Sequence, residues 1–155
     1  MGASLYEPIN VYKPLAPDIG IVDGPFEYLT VGGIRLPLPF TTRMTVVRLA
    51  DGGVWLHSPT QLTDSLLASI AALGPVRHLI APNWIHYASL GDWSAACPEA
   101  QTWAAPGVAE RAASKGVSVR IDHDLKPAVV APWARDIDWC LVDGSPTHRE
   151  AVFFH

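Results

Sequence analysis

From Ile9 to His57 the apolar positions come in short alternating runs: Asn10 to Lys13, Tyr28 to Val31, Ile34 to Leu36, Thr42 to Leu49 and Val54 to His57. Gly32-Gly33 and Asp51-Gly52-Gly53 interrupt the runs, and glycine reaches the positive φ of tight hairpins without strain. The pattern predicts an antiparallel β meander. Within Thr42 to Leu49, the sequence Met44, Val46, Val47, Leu49 breaks strict alternation, which predicts a β-bulge or a strand covered on both faces.

After His57 the pattern changes to helices alternating with strands. Thr63 is placed to cap a helix over Asp64 to Leu73, with Leu66, Leu67, Ile70, Ala71 and Leu73 as its apolar face and Gly74-Pro75 as its stop. Val76 to Ala81 reads as a short apolar strand, and a second helix runs from His86 or Leu90 to Cys97. Gln101 to Ala105 reads as a strand, Gly107 to Ser114 as a third helix and Val117 to Ile121 as the next strand. Such alternation implies right-handed βαβ crossovers and parallel pairing. Asp138 to Val142 and Glu150 to His155 return to β. The chain stops at His155 inside an apolar strand pattern, so the domain is expected to continue beyond it or that strand to be held by a partner.

Composition narrows the class. With 155 residues, 49% hydrophobic and 17% charged, the chain is expected to fold as one globular domain over residues 1–155. Eleven basic residues against fifteen acidic ones give a net charge of -4, and the basic residues are scattered, which argues against nucleic acid as a partner. No apolar run approaches the roughly 18 residues that span a bilayer, and the first ten residues do not read as a signal peptide, so no membrane partner and a cytoplasmic address are expected. Cys97 and Cys140 show no paired spacing and read as buried free thiols. Trp55, Trp103 and Trp139 lie in strands and read as core.

The candidate chemistry gathers at strand ends. Leu79 to Ala81 runs into the polar turn Pro82-Asn83-Trp84-Ile85-His86, and α/β folds bind ligands beyond the carboxyl ends of parallel strands. His57, His86 and His155 each end or follow a β run and could converge as three imidazole ligands for zinc or iron; alternatively each bonds a backbone carbonyl. Asn83, Trp84 and His148 are candidates for the pocket wall, with Asn83 read first as a turn residue. His78 is expected to pack against a helix, and Asp122-His123-Asp124 to form a solvated loop. No G-x-S-x-G elbow, dinucleotide fingerprint or P-loop is present.

The meander followed by βαβα units resembles the first half of the metallo-β-lactamase fold, a four-layer αββα sandwich. That superfamily carries an HxHxDH metal motif in the turn that here reads Ala81-Pro82-Asn83-Trp84-Ile85-His86, so Ala81, Asn83 and Ile85 stand in place of His, His and Asp. Only His86 matches. A narrower resemblance rests on His57-Ser58-Pro59-Thr60, Leu73-Gly74-Pro75-Val76, Ala81-Pro82-Asn83 with His86, Gly144-Ser145-Pro146 and Phe153-Phe154-His155. Together these are similar to an uncharacterised bacterial family of metallo-β-lactamase-like proteins known as a domain of unknown function. Its members often carry a second His where this chain has Tyr87, and run on past the Phe-Phe-His strand into another strand ending in Asp. The resemblance implies a sandwich incomplete at its C-terminus, a degenerate site binding a small molecule, and an exposed apolar edge that favours a homo-oligomer. The alternative it leaves open is a metal-dependent hydrolase with a rearranged histidine site.

Overall fold

In the computed structural model, which describes residues 4–31, 34–145 and 148–155 but not the side chains at 29–31, 35, 37, 38, 145 and 148, the meander and the βαβ units merge into one sheet. The elements are β1 Tyr12–Ala16, β2 Ile19–Val31, β3 Ile34–Arg48, β4 Val54–His57, α1 Asp64–Ala71, β5 Val76–Ala81, α2 Leu90–Ala96, β6 Gln101–Ala104, α3 Val108–Ser114, β7 His123–Asp124, β8 Asp138–Ser145 and β9 His148–Phe154. Strands β1 to β7 lie side by side in chain order, antiparallel from β1 to β4 and parallel from β4 to β7. β8 and β9 form a separate antiparallel pair.

The large sheet is buried on both faces, because its central strands alternate between two apolar layers. Val22, Met44, Val46, Leu56, Leu79 and Ala81 face Leu66 and Ile70 of α1, Leu90 and Trp93 of α2 and Val108 of α3. Val47, Leu49, Trp55, Ile80 and Trp103 face the other way, onto Leu125, Ala131, Trp133 and Ile137 of the connecting chain and Ala151 of β9. The layers therefore run helices, seven-stranded sheet, hairpin. Each fully buried Leu or Ile contributes about 1.5–3 kcal/mol over its exposed state, so the packing of β5 alone outweighs any surface ion pair. The expected cap forms: Thr63 Oγ1 accepts from Leu66 N at 3.2 Å.

Several expectations change. Tyr28 to Val31 is only the end of the 13-residue β2, and Ile34 to Leu36 joins Thr42 to Arg48 in the 15-residue β3. A Cβ at Gly20 would collide with the Tyr12 ring, so glycine there admits close packing inside a strand. The β2–β3 pairing is irregular between Asp23 and Phe26, where β2 bulges opposite Thr41 to Arg43, and again between Tyr28 and Thr30, while Met44, Val46, Val47 and Leu49 are covered on both faces. Val117 to Ile121 is not a strand; β7 is His123–Asp124. The side chain of Asp122 accepts from Thr102 N at 2.8 Å and from Thr102 Oγ1 at 2.9 Å, and Arg120 donates to the Pro98 and Ala100 carbonyls, so side chains replace the ladder there. Cys140 is exposed, on the outward side of β8. Among the described residues, no helix is long and apolar enough to cross a membrane.

His78 also departs from expectation. The register slips between Val54↔Val76 and Trp55↔His78, so Arg77 is an extra residue and His78 turns away from the helices. Its ring lies 4.8 Å from Trp133 and 6.4 Å from Trp103, both edge to face. Burial pushes its pKa from 6.5 down to about 4, with Arg77 and His123 acting in the same direction and Asp51 opposing them. Between pH 6.5 and 4 the unfolded chain takes up a proton that folded His78 refuses. Its contribution is thus fully present above pH 6.5 and is lost as the pH falls toward 4. Urea denaturation across this window should show stability falling with pH by up to about 3 kcal/mol from this residue, with a shallower slope in His78→Leu. An unchanged slope in the variant contradicts the assignment.

Candidate functional site

Two parallel neighbours, β4 and β5, end at the same rim of the sheet. Ser58 N donates to Ile80 O at 2.9 Å, extending the ladder one residue past β4, and Ser58 then takes φ of +55°, a strained value for a residue with a Cβ. Its Oγ lies 3.1 Å from His57 Nδ1. The loop is fixed from below by Trp93 of α2, whose Nε1 donates to Thr60 O at 2.8 Å inside the core.

The turn beyond β5 is held from the hairpin side. Ala151 N donates to Pro82 O at 2.8 Å, and Asn83 Nδ2 donates to Glu150 Oε1 at 3.0 Å. Asn83 Oδ1 accepts from Ile85 N at 3.0 Å and Asn83 O from His86 N at 3.2 Å, which closes the turn. Asn83 is 3% exposed, and its amide is engaged on both sides. It is a structural residue of this site.

The turn brings His86 within electrostatic reach of His57. Burial is the main cause that pushes His57 from 6.5 down to about 4; His86 adds to the shift, and Glu150 opposes it. At neutral pH His57 is therefore an uncharged imidazole. Its ring stacks on Trp55 at 5.7 Å and meets Phe153 of β9 edge to face at 5.4 Å. His155 follows β9 and is exposed, while the side chain of His148 lies outside the described residues. Among the described residues, no group of three His, Cys, Asp or Glu side chains is placed to hold a metal ion.

Beside the turn opens a cavity of about 220 Å³. β2 and β3 supply Tyr28, Phe40 and Arg43; the loop after β4 supplies Ser58, Thr60 and Gln61; the turn supplies Ile85 and His86; and the α3 segment supplies Arg111 and Lys115. Trp84 reaches this wall through Arg111, whose guanidinium lies 4.7 Å from the Trp84 ring centre. Arg43 is bound to Asp23, with Nε donating to Oδ1 at 2.7 Å, and Lys13 Nζ donates to Oδ2 at 2.8 Å. Burial alone would raise the Asp23 pKa, but Lys13 and Arg43 outweigh it and hold the carboxyl below its ordinary value.

Sequence reasoning named His57 and His86 but missed Glu150, Thr60, Arg111 and Lys115. Arg111 and Lys115 stand four residues apart, the spacing that puts two side chains on one side of a helix, which was the available signal. Glu150 gave none, because its approach to Asn83 depends on how the hairpin docks.

The profile of a family described as a domain of unknown function (DUF4336) matches residues 31–155. The chain belongs to this family. Solved metallo-β-lactamases share the fold of this DUF4336 chain. The metallo-β-lactamase from Pontibacter korlensis superposes with a TM-score of 0.62 at 15% identity, over 97% of this chain and 66% of its own. FIM-1 from Pseudomonas aeruginosa, in its mono-zinc form, gives 0.61 at 13% identity over 99% and 65%. DIM-1 exposed to ceftazidime gives 0.56 at 13% identity over 88% and 58%. The DUF4336 chain thus spans less than two thirds of the length of these chains. No curated protein matches it. At these identities the likeness establishes a metallo-β-lactamase-like α/β fold.

The paired imidazoles give a direct check. In an NMR titration the His57 ring should stay neutral down to about pH 4, and His86→Ala should raise its pKa. A His57 ring that titrates near 6.5 in the folded protein contradicts this geometry.

Proposed function

We propose that this domain is a degenerate metallo-β-lactamase-like protein whose cleft binds a small molecule and is not an ordinary two-metal hydrolase centre. One observation carries the reading: the turn from Ala81 to His86 has its donor positions committed elsewhere. Ala81 is buried in the core, the Asn83 amide is engaged with Glu150 and Ile85, and Ile85 lines the cavity as an apolar wall. Of the side chains that the superfamily motif would place on metals, His86 remains. The donor set does not fit a two-metal centre, whose ions need several carboxylate or imidazole donors each.

A second reading has an observation of its own. His57 is uncharged at neutral pH and lies within electrostatic reach of His86, so one of its two ring nitrogens carries no proton and has a free lone pair. That favours a metal-dependent hydrolase in which His57 and His86 hold one zinc or iron, with His155, which is not gathered with them among the described residues, replaced by water.

Elemental analysis of protein purified without chelator, beside a His86→Ala variant, separates the two. The cleft reading predicts metal well below one ion per chain and the same content in the variant. One zinc or iron per chain, lost in His86→Ala, overturns it in favour of the hydrolase.

A further inference from the structure

We infer that the cavity beside the Pro82 to His86 turn takes a small organic anion, an oxyanion group carried on an apolar body; this rests on the cleft reading above. The apolar half is built from three of the large hydrophobic side chains that the fold leaves exposed. Tyr28 is 36%, Phe40 42% and Ile85 39% exposed, and all three line this one cavity. Exposed apolar groups scattered singly need no explanation, whereas three lining one concavity mark a surface that something covers.

The polar half is cationic. Arg111 and Lys115 line the same cavity, and the buried Nε of Arg111 has no hydrogen-bond partner. Thr60, which is 2% exposed and also on the wall, has its Oγ1 buried and likewise unpartnered. A buried donor left unmade is costly, so two residues of one wall each hold a group that calls for an acceptor, and an oxyanion is the acceptor that suits a guanidinium and a hydroxyl alike. The third cation of the wall, Arg43, is already paired with Asp23, which it shares with Lys13, and the one carboxylate of the wall is Glu27 on β2. The cavity is thus net positive in a chain whose charge is -4. The Trp84 ring lies 4.7 Å from the Arg111 guanidinium and restrains it, which lowers the entropy lost when a ligand pairs with it. A volume of about 220 Å³ lies below the roughly 300–1,000 Å³ of pockets for drug-sized ligands, so the body is no larger than a fused ring pair or a short chain.

Isothermal titration calorimetry on the full chain tests this with two probes of one shape, naphthalene-2-carboxylate and 2-naphthalenemethanol. The acid should bind one to one, and the uncharged alcohol about tenfold or more weaker. Arg111→Met should weaken the acid by a similar factor and leave the alcohol unchanged. Lys115→Met, at an exposed side chain, should act in the same direction and serves if Arg111→Met fails to fold. Equal affinity for acid and alcohol, an acid affinity untouched by both variants, or no binding of either probe at millimolar concentration overturns the anion assignment. The metal analysis decides the cleft reading independently: metal-free protein with equal affinities keeps the cleft and discards the anion, whereas one metal per chain discards the cleft reading itself.

Discussion

The turn from Pro82 to His86 emerges from a strand buried on both faces, and its first two residues, Pro82 and Asn83, are themselves buried against the hairpin, so their polar groups have to find partners inside the protein. This constraint organises the site. Pro82 O receives Ala151 N, and Asn83 binds Glu150, so two adjacent residues of β9 hold two adjacent residues of the turn. The contact ties the two-stranded sheet to the seven-stranded one at the rim where β4 and β5 end. It also sets Phe153 against His57 and Trp55, which closes the aromatic layer over that rim.

From this follows the character of the site. An amide that must satisfy both a carboxylate and a backbone N–H is a poor candidate for a metal ligand, and a buried alanine is none. What remains chemically available is one histidine beside a second, uncharged one, and next to them a cavity with an apolar floor and a cationic wall. The shared fold with metallo-β-lactamases explains the location of the cleft, because sheet topology decides where strand ends gather. The side chains around it give the cleft its own chemistry.

Much of this was legible in the residues. The apolar run Val76 to Ala81 and its polar exit located the rim, and the run Val54 to His57 placed a second strand end beside it, which is why His57 and His86 come together. The rest depended on long-range geometry. The extra residue at Arg77 reverses the facing of His78, and nothing in the alternation of six residues announces it. Val117 to Ile121 has β composition, but Arg120 and Asp122 satisfy neighbouring backbone groups with their side chains, so no ladder forms. The run Tyr28 to Val31 is the end of a strand that begins at Ile19 and continues through a bulge at Gly24-Pro25. Glu150 and Arg111 acquire their places only when the hairpin and α3 have packed on the sheet.

The central claim is that Asn83 and Glu150 act together to hold the turn. A double-mutant cycle with Asn83→Ala and Glu150→Ala, read by urea denaturation, measures that coupling without reference to any ligand. A favourable coupling of about 1 kcal/mol or more is expected, since a buried hydrogen bond to a charged group contributes on the order of 1.5–3 kcal/mol. Strictly additive losses, with a coupling below about 0.3 kcal/mol, would contradict it.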